Sequence, residues 1–230
     1  MKEFFKLAYN AIPLKKAFFL ILRAFHPPHS LYQHLYFKDI FTVPVEKSSF
    51  KIMHYGFQLE NDLFWCGLNG GWEKISLNLW VSLCKNSEYI LDVGANTGIY
   101  SLFAKAANPH ARVYGFEPIA RVFNKYIRNC ELNSFDIQCE NFALSNSDAL
   151  GVIYDLPGEH VYSSSLGIKY ADAPGVTPIK VPTKRLDTYI NERKLPTVGL
   201  IKIDVETHEP EVLEGLGKYL RLFKPTLLIE

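Results

Sequence analysis

The sequence lacks the marks of several protein classes. Its four cysteines, Cys66, Cys84, Cys130 and Cys139, show no C-x-x-C spacing. Neither a zinc ribbon nor a disulfide framework is therefore expected, and the thiols suit a reducing, cytoplasmic compartment. Lys and Arg number 25 against 24 Asp and Glu, a formal net charge of +1. Without a basic excess, nucleic acid is not an expected partner. The apolar run at residues 17–22 is six residues long, whereas a bilayer span needs about 20. No small-residue cleavage site follows it, only His26-Pro27-Pro28-His29. Internal repeats and low-complexity tracts are absent too. What remains is a chain of 230 residues, 48% of them apolar. That fits one domain with a sizeable core and an N-terminal extension.

Residues 1–25 read as helix, ended by Pro27-Pro28. Two readings of residues 14–25 stay open: a helix packed on the domain or a partner, or a basic, aromatic helix in peripheral contact with a membrane. Phe41-Thr42-Val43, Phe50-Lys51-Ile52 and Leu63-Phe64-Trp65 read as short β runs, and Gly67, Gly70 and Gly71 follow. Residues 1–72 are thus expected to be an N-terminal helix and a small β lead-in, with the main domain over 73–230. Residues 72–84 carry Ile75, Leu79 and Leu83 at helical spacing.

From Tyr89 the pattern alternates. Strands are expected at 89–93, 112–117, 137–144, 198–205 and 226–229, and helices at 99–107, 120–131 and 209–222. Near-continuous apolar strands separated by helices predict an α/β fold: a Rossmann-like, doubly wound, mostly parallel sheet covered on both faces. Residues 151–183 break the rhythm and read as a loop-rich insertion with one strand near 179–181.

The chemistry concentrates in Asp92-Val93-Gly94-Ala95-Asn96-Thr97-Gly98. A buried strand ends in an acid, turns on small residues and starts a helix, which lets a ligand approach backbone N–H groups. Gly94 and Gly98 form G-x-x-x-G, not the dinucleotide G-x-G-x-x-G, and no Gly-Lys-Ser/Thr follows. A nicotinamide-dependent oxidoreductase and a P-loop are therefore disfavoured. A second acid, Glu117, ends the next strand. Two strand-end carboxylates suit a ligand with a ribose and an amine or cation, and S-adenosylmethionine is a common one.

Those motifs, with Phe116-Glu117-Pro118, Ala143-Leu144-Ser145, Arg185-Leu186-Asp187, Lys202-Ile203-Asp204-Val205-Glu206 and Glu230, resemble the FkbM-type methyltransferases over roughly residues 73–230. The resemblance implies a class I, S-adenosylmethionine-dependent O-methyltransferase acting on hydroxyls of sugars, glycans or small metabolites. The family's usual Asp-Val-Glu-Gly reads Asp204-Val205-Glu206-Thr207 here. About five strands are legible where such a sheet has seven, so the C-terminal edge strands are expected to be missing. The alternative is a non-catalytic protein that keeps the fold and serves a membrane or partner.

On this reading Asp92 supports the turn or the methionine amine. Gly94, Ala95, Asn96 and Gly98 line the methionine and ribose portion. Glu117 accepts the ribose hydroxyls, because a carboxylate offers two acceptor oxygens and no donor. Phe142 and Ala143 lie against adenine, or Phe142 belongs to the core. Asp204, Glu206 and His208 gather at the end of one strand, where the acceptor hydroxyl sits and a base is needed, with His208 preferred. Three ligand types on one short segment are weak evidence for a metal, and none is expected.

Overall fold

The computed structural model describes residues 14–155, 164–165 and 176–230. Its elements run α1 (Lys15–Arg23), α2 (His29–Tyr32), β1 (Ile40–Val45), β2 (Ser48–Met53), α3 (Gln58–Cys66), α4 (Lys74–Cys84), β3 (Tyr89–Val93), α5 (Ile99–Ala107), β4 (Arg112–Phe116), α6 (Ala120–Glu131), β5 (Ile137–Glu140), β6 (Ala143–Ser145), β7 (Ala149–Asp155), β8 (Ser164–Ser165), β9 (Thr177–Arg185), α7 (Leu186–Arg193), β10 (Leu200–Ile203), α8 (Glu209–Leu216), α9 (Tyr219–Phe223) and β11 (Thr226–Ile229).

The central sheet is β11-β10-β3-β4-β5, and every pair in it is parallel. It is the expected doubly wound, Rossmann-like sheet. The chain leaves β3 toward β4 and β5, then returns to β3's other side with β10. That reversal opens a crevice at the carboxyl ends of β3 and β10. Side chains alternate across the strands. Ile90, Val113 and Leu200 join the core under α5 and α6, while Leu91, Tyr114 and Ile201 join a second core with Leu186, Tyr189 and Val212.

The N-terminal elements share the first core. β1 and β2 form an antiparallel hairpin, and Phe50 meets Phe103 of α5 edge-to-face at 4.9 Å. Among the described residues no helix is long and apolar enough to cross a membrane.

Several local expectations change. Leu63-Phe64-Trp65 lies inside α3, not in a strand. All three side chains are buried, so a short apolar run carries no period to separate the two structures. In α4 the buried face is Leu77, Trp80, Val81 and Cys84, while Ile75 is 81% exposed. Both stripes have helical spacing, and packing chose the one facing α5. The single strand expected at 137–144 breaks at Asn141 into β5, in the parallel sheet, and β6, in a second sheet ordered β6-β9-β7-β8. The helix expected at 209–222 is divided at Gly217, φ +56, into α8 and α9. The insertion is a long antiparallel pair, β7 with β9, which contains the expected strand. Residues 156–163 and 166–175 of it lie outside the described residues, as do residues 1–13 of the expected N-terminal helix.

Candidate active site

A cavity of about 780 Å³ opens at the crevice, within the ordinary range of small-molecule sites, roughly 300–1,000 Å³. One wall comes from residues 93–97, 116–119 and 142–144. A second wall, from the N-terminal elements and the turn before α4, includes Phe57, Gln58, Asp62, Trp72 and Glu73. Tyr100, Lys202, residues 204–207 and Glu230 close the remaining side.

The first wall is held by backbone bonds. The N–H groups of Gly94 and Ala95 both donate to the Phe116 carbonyl, at 3.1 and 2.9 Å. Asn96 takes φ +49, a left-handed conformation that Asn tolerates better than most residues. Its N–H donates to Glu117 Oε2 at 3.0 Å, and the Ile119 N–H donates to Oε1 at 2.9 Å. Glu117 is thereby fixed on the cavity wall while only 7% exposed. Burial pushes its carboxyl up to about 7, with the two N–H bonds opposing.

Gly98, expected to line the ligand, and Asp92, expected to support the turn or the methionine amine, lie one layer below. Asp92 is fully buried and outside the cavity lining. Its Oδ2 accepts from Ser101 Oγ at 2.6 Å, and Ser101 Oγ accepts from the Tyr126 hydroxyl at 2.8 Å. Gly98 is also outside the lining, and a Cβ on it would overlap the Tyr126 ring. Asp92 and Gly98 therefore tie the turn to α5 and α6. Gly94, Ala95, Asn96, Glu117, Phe142 and Ala143 all reach the cavity. Phe142 also packs on Phe116 and Tyr189, at 5.6 and 5.9 Å between ring centres. It is both core and lining.

Asp204, Glu206 and His208 separate. Asp204 and Glu206 line the cavity. His208 does not: its Nε2 lies 3.0 Å from Ser145 Oγ, and its Nδ1 lies 3.4 Å from Glu211. Burial lowers its imidazole below the usual value, although Glu211 and Glu209 pull the other way. The strand ends at Ile203, and Glu206 and Thr207 take φ +53 and +77. The turn rotates His208 away, so the spacing-of-two rule stops applying.

Glu73 and Tyr100 belong to no motif that marks them in the sequence. The Tyr100 hydroxyl donates to Glu73 Oε2 at 2.5 Å and contacts Glu230 Oε1 at 3.0 Å. Lys202, 2% exposed, donates to Asp204 Oδ2 at 2.9 Å and sits 4.2 Å from the Tyr100 ring centre. Burial alone would lower its ammonium; Asp204 and Asp92 more than offset that and hold it above its ordinary value. Burial raises the Glu73 carboxyl. This end of the cavity gathers three carboxylates, Glu73, Asp204 and Glu230, around one paired cation. A positively charged group fits it, and a phosphate does not. Among the described residues no group of three or more His, Cys, Asp or Glu is placed to hold a metal ion.

Several known proteins are similar to this chain. The chain is 29% identical over 147 residues to "Methyltransferase 1" of Beauveria bassiana, covering 57% of this chain and 59% of that one. It is 28% identical over 152 residues to "2-O-methyltransferase NoeI" of Sinorhizobium fredii, covering 62% and 63%. The chain thus spans about three-fifths of the length of these relatives. A solved S-adenosylmethionine-dependent methyltransferase from Agrobacterium tumefaciens aligns over 84% of this chain and 53% of its own, at 12% identity and a TM-score of 0.42. The Methyltransferase FkbM domain matches residues 92–230, from the buried Asp92 to Glu230 on the cavity, and the protein belongs to that family.

Proposed function

We propose that the chain binds S-adenosylmethionine and methylates a hydroxyl of a sugar, glycan or other small metabolite. The observation that carries this reading is the charge layout of one cavity. A backbone-anchored Glu117 stands on one wall, and Glu73, Asp204 and Glu230 line the other end. That donor set fits a vicinal diol joined to a cation. S-adenosylmethionine, when bound, supplies an electrophilic methyl group on a sulfonium. Glu117 accepts the ribose hydroxyls, residues 94–97 cover the chain between ribose and amino acid, and Phe142 and Ala143 flank the adenine. Glu73, Asp204 and Glu230 balance the cation. Asp204 takes the acceptor's proton: it and Glu206 line the cavity while His208 does not, and Asp204 is the one that follows β10 directly, fixed by the Lys202 ammonium. Similarity to the 2-O-methyltransferase NoeI supports a hydroxyl acceptor. Residues 1–72 serve as a lead-in that completes the cavity of the 73–230 domain. The test is thermal unfolding with S-adenosylhomocysteine. At about 100 times its dissociation constant the ligand should add roughly 2.7 kcal/mol, and no shift at millimolar ligand would reject the reading.

A second surface favours peripheral membrane contact. Phe18 and Ile21 of α1 are exposed, as are Leu14 just before the helix and Phe25 just after it. Lys15, Lys16 and Arg23 share the segment, and it has no acid. Such a face suits a lipid surface with anionic headgroups on a cytoplasmic leaflet. Sedimentation with phosphatidylserine vesicles, lost on Phe18→Ser with Ile21→Ser, tests it.

A further inference from the structure

The wall that carries Phe57, Gln58, Asp62, Trp72 and Glu73 lies outside the family-matched segment 92–230. Its least expected member is Trp72, which is 91% exposed on the cavity's edge. Trp72 is held there by a specific turn. Its N–H donates to Asp62 Oδ2 at 3.4 Å, and Gln58 Nε2 donates to Asp62 Oδ1 at 3.1 Å. Gly71, at φ +83, precedes it, and a Cβ on Gly71 would strike the Asp62 side chain. Trp72 thus stands on the cavity's rim at a glycine-dependent turn, its backbone fixed and its indole exposed, with the Gln58 amide and Asp62 carboxylate beside it.

The charge around it is one-sided. Asp62, Glu73, Glu206 and Glu209 line the cavity with Asp204 and Glu230. The two cations on the described lining are both engaged, Lys202 with Asp204 and Arg121 with Asp155. An acceptor bearing a carboxylate or phosphate would meet like charge and no unpaired cation. A ring of hydroxyls would instead meet acceptors for its O–H donors. Its C–H face would meet the negative face of an indole.

We propose that Trp72 is the stacking platform for an uncharged sugar ring, and that the acidic wall excludes uronate or phosphorylated acceptors. The proposal rests on the methyltransferase reading and names its acceptor class. The test uses the full chain saturated with S-adenosylhomocysteine and saturation-transfer NMR. The probes are the neutral methyl glucoside, galactoside and mannoside, each paired with its uronate. At least one neutral ring should bind at least tenfold more tightly than its uronate. Trp72→Ala should weaken the neutral ring about tenfold and Trp72→Phe should retain most of the affinity. Because Trp72 is exposed, both variants should keep the wild-type melting temperature and its shift with S-adenosylhomocysteine. Equal binding of neutral and uronate rings, neutral binding indifferent to Trp72→Ala, or no neutral binding overturns the proposal. Absence of any S-adenosylhomocysteine shift in the wild type rejects the methyltransferase reading instead.

Discussion

Gly94 and Asp204 touch through their backbones. A Cβ placed on Gly94, which has φ +79, would overlap the Asp204 carbonyl oxygen and crowd the Val205 side chain. The glycine turn after β3 and the acid after β10 are therefore one packed unit, joined also by the Asp204 N–H donating to the Val93 carbonyl at 3.0 Å.

Gly94→Ala should be severe. The left-handed conformation alone costs roughly 1–3 kcal/mol for a residue with a side chain, and the overlap adds to it. Urea unfolding should show a loss of at least about 2 kcal/mol, with S-adenosylhomocysteine binding weakened because Asp204 moves. A variant with wild-type stability and affinity would contradict the contact.

Thr207 should be improvable. A β-branched residue at φ +77 is strained, and it stands where the family's usual motif has glycine. Thr207→Gly relieves that strain while adding freedom to the unfolded chain. A net gain of about 1 kcal/mol is expected from the difference, read as a higher denaturation midpoint. A loss of stability would mean that the Thr207 side chain contributes more than its backbone costs.

Glu117 should couple stability to pH. Its folded value, about 7, lies above its ordinary 4.5, so between these values the folded chain holds a proton that the unfolded chain has released. Stability from this group is fully present below about 4.5 and is lost as pH rises through 7, by about 3 kcal/mol in all. Glu117→Gln should flatten that slope, measured by urea unfolding at steps from pH 5 to 8. The ribose hydroxyls need the ionised carboxylate as acceptor, so wild-type affinity for S-adenosylhomocysteine should rise over the same interval. An unchanged slope in the Gln variant would place the titration elsewhere.

Asp204 and His208 should part company in kinetics. Asp204→Asn should cut turnover at saturating cofactor by roughly 10²–10⁴, on top of the weaker cofactor binding that loss of one of the three carboxylates around the cation brings. His208→Ala should leave turnover close to wild type and act on stability, through the lost contacts to Ser145 and Glu211. The reverse result would return the base to His208.

Lys202→Met should be costly. It removes the buried cation that is salt-bridged to Asp204 at 2.9 Å and whose charge also favours the ionised form of Asp92, its register partner on β3, and removing one member of a buried pair costs roughly 3–5 kcal/mol. Adding Asp92→Asn should recover part of that loss in the same urea titration.

The sheet was legible because four of its five strands, all but β5, are short apolar runs between helical patterns, and β3, α5, α6 and β11 fall within a residue of where periodicity puts them. Glu117 was legible for the same reason: a carboxylate at the end of a parallel strand has one place to go. Legibility failed where the third dimension decided. Ile75 and Leu77 belong to equally regular stripes of α4, and only the neighbouring α5 selects between them. Asp204, Glu206 and His208 look collinear until two left-handed residues turn the chain. Tyr126 carries no motif, yet its ring fills the space opened by Gly98 and Gly115. Glu73 sits in a segment whose sequence reads only as a helix start.

The cavity's two walls are encoded about twenty residues or more apart, and they differ in how deeply they are built into the molecule. Tyr126, Asp92 and Gly94 answer to the core, so the cofactor half tolerates little drift. Trp72 and Gln58 answer mainly to solvent and to Asp62, so side chains there can be exchanged with little effect on whether the chain folds. Divergence of substrate range among descendants of such a chain would concentrate at exposed lining positions such as Gln58 and Trp72, and a library confined to those positions is the economical place to look for altered acceptors.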